Sequence, residues 1–137
     1  MFKKNSLIIA LIALIILSGN LFSQTEQKIE VLYFKANLAC CKAKACNTLQ
    51  SEVETVLKNL TSFKNIEFKV IPLADEANKE LVEKYNAKSQ TVVIIKKDGD
   101  KETSKDISDI VRDYSIGKNK ERFEELVKSK IEEVVAK

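Results

Sequence analysis

Cys40, Cys41 and Cys46 are the only cysteines in this 137-residue chain, and they fall within seven positions. The chain has no histidine. That rules out Ser-His-Asp and Cys-His catalysis, histidine zinc ligands and any imidazole acid or base. A cluster of thiols can then do three kinds of work. One thiolate can attack a partner disulfide while a second resolves the mixed disulfide. Three thiolates can capture a soft metal or metalloid such as Cu(I), Zn(II) or trivalent arsenic. Two can form a structural disulfide in a non-catalytic interaction domain. Lys42 and Lys44 lie inside the cluster, and positive charge beside a thiol lowers its pKa. As plain exposed lysines they would have no role. If residues 41–46 were helical, Cys41 and Cys46 would point to different faces. A bridge needs Cα atoms within about 7 Å, so a disulfide to Cys46 requires part of the segment to be irregular. A vicinal Cys40–Cys41 bridge would be strained. No cofactor is expected.

The compartment decides which chemistry comes first. Lys3 and Lys4 precede an apolar run from Leu7 to Leu17, broken by Ser18-Gly19-Asn20, with Ser23 at a small-residue cleavage point before Gln24. This is the pattern of a secretory signal peptide. The run is short of the ~20 apolar residues of a spanning helix, and an uncleaved anchor is the alternative. The division is then a signal peptide over 1–23, a short flexible N-terminus over 24–27 and a domain over 28–137. The expected location is secreted or periplasmic. Outside the cytosol, neighbouring cysteines are read first as redox groups. The full chain carries a formal charge of +3. Losing Lys3 and Lys4 leaves +1, with Lys and Glu interspersed. That is not the patch of a nucleic-acid binder, and any membrane contact is confined to the signal segment if uncleaved.

The elements that must hold the cysteines follow from apolar periodicity. Lys28–Phe34 reads as a strand covered on both faces. Asn47 looks like an N-cap with Gln50 completing a capping box. Leu49, Val53, Val56, Leu57 and Leu60 then give a helix over about 47–60. Ile66, Phe68 and Val70 alternate with polar residues as a second strand, ended by Pro72. Asp75 caps a second helix bearing Leu81, Val82 and Tyr85. Thr91–Ile95 is a third strand. Asp98-Gly99 signals a hairpin into a polar edge strand near 101–105. Ile107, Ile110, Val111 and Tyr114 predict a short helix stopped around Gly117, and Asn119 caps a last helix whose core face runs from Phe123 to Val135. Alternating β and α elements predict parallel pairing under helices, with the hairpin adding one antiparallel strand. The cysteines fall between a strand and a helix N-terminus, where backbone N–H groups and the helix dipole favour thiolates.

This arrangement resembles the thioredoxin fold over residues 28–135. More narrowly it resembles the small exported ArsF-type thioredoxin-like proteins, through Tyr33-Phe34 before the first cysteine, Lys88-Ser89 before the apolar strand, Lys97-Asp98-Gly99 and the helical C-terminus. The resemblance implies a three-layer α/β/α domain with a mixed central sheet of about four strands. It implies thiol–disulfide exchange or electron relay, a possible oxidoreductase activity, with Cys40 as nucleophile, Cys46 as resolving cysteine and Cys41 as an extra. It also puts Ser89, Gln90 and Thr91 beside the cysteines as a partner groove. The implied partner is a protein thiol or disulfide, a membrane electron-transfer protein among them, and a monomer is expected. The chain departs from the family pattern in its longer cysteine spacer. It lacks a Trp before the cysteines, and the position of the family's cis-proline falls at Gln90 or Thr91. A trans bond there and poor general reductase activity are the consequences expected.

Overall fold

The computed structural model describes residues 28–37 and 43–137 in full and residues 40–42 by their backbone. The expected signal segment and the short N-terminus after it lie outside the described residues. Four strands form one sheet, in the order β2-β1-β3-β4. They are β1 (Lys28–Lys35), β2 (Ile66–Pro72), β3 (Val92–Asp98) and β4 (Lys101–Asp106). In β1, Ile29 to Phe34 are all buried, as expected of a strand with neighbours on both edges and helices on both faces.

Only β1 and β2 run parallel, with Tyr33 opposite Val70. β3 is antiparallel to β1, with Tyr33 opposite Val92, and β4 is antiparallel to β3. The expected parallel placement of the third strand is therefore corrected. The chain between β2 and β3 holds only a 3₁₀ turn (Glu76–Asn78) and the six-residue helix α2 (Lys79–Lys84). It returns to the end of the sheet it left, so β3 starts beside the C-terminal end of β1. The Asp98-Gly99 signal is where the hairpin turns, with Gly99 at φ 60°.

Helix α1 (Cys40–Asn59) packs on one face with α3 (Ser108–Gly117) and α4 (Lys120–Val135). Their buried side chains meet Ile29, Val31 and Tyr33 of β1 and Val92 and Ile94 of β3. Each such side chain contributes roughly 1.5–3 kcal/mol by leaving water. The other face carries Leu32, Phe34, Val93 and Ile95 under α2. The result is a thioredoxin-like three-layer α/β/α fold on a mixed four-stranded sheet. Asn119 caps α4 as expected, through a bond from the Arg122 N–H group. Asp75 caps the 3₁₀ turn through the Ala77 N–H group and not the helix carrying Leu81 and Val82, whose N-cap position falls on Asn78 and has no side-chain bond, so that expectation is corrected.

Two charged residues are buried in the sheet. Because α2 is short, ionic side chains cover the far half of its face. Glu30 there accepts hydrogen bonds from Lys69 at 3.0 Å and Lys97 at 3.2 Å. On the opposite face the buried Lys96 donates from Nζ to the Val135 carbonyl at 2.9 Å. This places a cation on the unpaired carbonyls at the C-terminus of α4. Among the described residues no helix is long and apolar enough to cross a membrane.

Candidate functional site

The helix begins at Cys40, not near Asn47. Asn47 sits exposed in mid-helix, so the expected cap and capping box are corrected. Lys42-Ala43-Lys44-Ala45 is a helix-forming sequence. Cys46 also extends the buried stripe of Leu49 and Val53 one turn upstream, at i−3 and i−7. Local propensity and core packing thus both favour helix through the cysteine segment.

Cys46 is a free thiol and only 7% exposed. Gln90 Nε2 donates to its Sγ at 3.2 Å. The loop carrying Gln90 is tied to the end of β1 from both sides. Gln90 N–H donates to the Phe34 carbonyl at 2.9 Å, and Phe34 N–H to the Thr91 carbonyl at 2.8 Å. A tight turn closes it: Thr91 N–H bonds Lys88 O at 3.0 Å, and Lys88 N–H bonds Thr91 Oγ1 at 2.9 Å. Gln90 itself has φ 67°. This left-handed conformation costs a residue with a Cβ about 1–2 kcal/mol. Such strain persists where the surroundings over-determine it, and the bonds to β1 and the sulfur do so here. The described peptide bonds are all trans.

Of the groove residues expected beside the cysteines, Gln90 reaches one. Thr91 is buried and spent on the turn, and Ser89 is exposed. Cys40 and Cys41 open α1, and their side chains lie outside the described residues. Along the helix axis Cys46 stands about 7.5 Å beyond Cys41 and 9 Å beyond Cys40, at 1.5 Å per residue. A disulfide to Cys46 therefore needs the first turns of α1 to unwind. The three-thiolate alternative rests on the same two side chains. Among the described residues no group of three His, Cys, Asp or Glu is arranged to hold a metal ion.

Two polar groups near this end were not expected. The Tyr33 hydroxyl is buried and has no hydrogen-bond partner, and neither has the Gln50 side-chain carbonyl. Burial first, and then the negative charge of a Cys46 thiolate, push the Tyr33 phenol up to about 12. In the sequence Tyr33 reads as a core residue. The signal for Gln50 was its spacing of four from Cys46, which puts both on one helix face.

No family model and no curated protein matches the chain. Among solved structures it is similar to one titled "Structure of a malarial protein", at 25% identity and a TM-score of 0.37, covering 66% of this chain and 96% of that one.

Proposed function

We propose that the chain is an exported thioredoxin-like protein, of the kind the ArsF-type resemblance implies, that exchanges thiols for disulfides with a protein partner through Cys40, Cys41 and Cys46. One observation carries this reading. A cysteine in the helix that follows β1 is held by a strained residue from the loop that precedes β3. The N-terminal cysteines sit where the helix dipole stabilises a thiolate. In the reaction, a thiolate of this chain attacks one sulfur of the partner disulfide and expels the other as a thiolate. A second thiolate of this chain then attacks the mixed disulfide and releases the remaining partner sulfur. The partner gains two electrons and two protons, and this chain ends with one disulfide.

Cys40 with Cys46 is the proposed pair. Because they stand about 9 Å apart along α1, forming the bond unwinds the helix start. The test is mass spectrometry of exported protein digested without reduction, together with circular dichroism of both redox forms. The expected result is a Cys40–Cys46 bridge and a loss of helix signal on oxidation. Cys46→Ser should trap a mixed disulfide with the partner, and Cys41→Ser should be mild. If Cys46→Ser traps nothing and the oxidised and reduced masses agree, the exchange reading fails.

A further inference from the structure

The redox partner's chemistry can be read from the surface beside Gln90. A groove of about 600 Å³ runs between α1 and α3, with Lys44, Thr48, Lys118 and Gln90 among its walls. Gln90 is thus shared by the groove and the Cys46 sulfur, 3.2 Å from its amide nitrogen. A second groove of about 770 Å³ continues along α1, sharing Lys44 and Thr48 and adding Glu52 and Lys120. From Lys44 to Thr55 the helix rises roughly 16 Å at 1.5 Å per residue. An extended segment of about five residues, at roughly 3.3 Å each, has that length. A small thiol would fill only part of it.

The charges on these walls are one-sided. Lys44 makes no ion pair among the described residues. The one acid, Glu52, is matched by Lys118 at 2.8 Å. Lys120 has only a loose contact to Glu124 at 3.8 Å. Thr48 and Thr55 line the same helix face, but their hydroxyls already donate to the Lys44 and Ser51 carbonyls at 3.0 and 2.7 Å, so the lysines carry the charge preference. An extended chain bearing carboxylates would complement this run, whereas a basic one would be repelled.

We infer that the groove along α1 docks an extended, acidic, cysteine-bearing segment of the partner protein and leads its sulfur to the cysteine-bearing end of α1, beside Gln90. This deepens the thiol-exchange reading and rests on it. The test uses the reduced full chain and two five-residue peptides with a central cysteine blocked as a 2-thiopyridine disulfide, one flanked by glutamates and one by lysines. Release of 2-thiopyridone reports exchange. Fluorescence polarisation of the same peptides with serine for cysteine reports docking alone. The acidic serine peptide should bind at least about tenfold tighter than the basic one at low salt, with the gap closing in high salt. The double variant Lys44→Glu, Lys120→Glu, with an unchanged circular dichroism spectrum, should reverse the preference. Equal binding of both serine peptides, or no effect of charge reversal, would overturn the groove assignment whatever the exchange rates. Charge-selective binding without thiopyridone release would leave the groove standing and remove the exchange reading instead.

Discussion

Gln90 separates backbone strain from side-chain chemistry in a single position. Replacing it by alanine removes the amide that donates to Cys46 Sγ at 3.2 Å but keeps a Cβ at φ 67°. A lost hydrogen bond of this kind costs about 0.5–1.5 kcal/mol, so Gln90→Ala should be about 1 kcal/mol less stable than the native chain. Gln90→Gly loses the same bond but also the left-handed penalty of about 1–2 kcal/mol. Against that stands the extra freedom of glycine in the unfolded chain, about 0.4–1 kcal/mol. The glycine variant should therefore sit about 0.5–1 kcal/mol above the alanine variant, near the native value. Urea unfolding resolves this. At a slope of about 1–3 kcal/mol per molar, the two midpoints should differ by about half a molar. Iodoacetamide labelling of Cys46, with Cys40 and Cys41 changed to serine, gives the second readout. Both variants uncover the sulfur alike, so both should label faster than the parent and at similar rates. A glycine variant no more stable than the alanine one would refute the strain argument. Unchanged labelling in both would refute the claim that Gln90 guards the thiol.

Two further outcomes follow from buried polar groups. Tyr33→Phe removes a buried hydroxyl without a partner, so stability near neutral pH should hold or rise, by up to about 1 kcal/mol. The native phenol keeps its proton to about 12 while the unfolded one loses it near 10; the native chain should therefore lose stability between those values, up to about 1.4 kcal/mol per pH unit, and pH-dependent unfolding of Tyr33→Phe should lack that component. At Glu30, burial opposes the charge, but hydrogen bonds from Lys69 and Lys97 outweigh it and hold the carboxyl below its usual 4.5. Glu30→Gln should cost about 1–3 kcal/mol at neutral pH. Because the native carboxylate's contribution is lost as pH falls below 4.5 and through its lowered pKa, the gap between the two chains should shrink progressively on the acid side of 4.5. A constant gap down to pH 2 would refute the assignment.

The strands, the hairpin and the helix cap at Asn119 were legible because each rests on a local signal: an apolar run or a period of two, a glycine turn, or a side chain capping its own helix. The start of α1 was misplaced because Asn47 and Gln50 match a cap pattern that works only where the chain upstream is not helical. Counting Cys46 as an apolar residue would have carried the stripe of Leu49 and Val53 back past that cap. The direction of β3 was not legible, since parallel and antiparallel strands share one apolar run and only the path of the short α2 segment decides between them. The neighbourhood of Gln90 and the cysteines came from the resemblance. Its left-handed backbone came from neither source, because glutamine carries no preference for positive φ and only the bonds to Phe34 and Cys46 impose it.

The Lys96–Val135 bond sets a rule for altering the C-terminal end of the chain. A chain cut to end at Val134 would lose the carbonyl that accepts from Lys96 Nζ. The new Val134 carboxylate would stand one residue short of that partner, and a residue only 5% exposed would have to re-aim its ammonium to reach it. Cutting after Val135 instead keeps the same oxygen position and gives it a full negative charge, which favours the bond. Ala136 and Lys137 can therefore be trimmed with the contact kept, whereas removing Val135 disturbs it. An affinity tag belongs after Lys137 on a flexible spacer, and a chain cut further in calls for Lys96→Met alongside the cut.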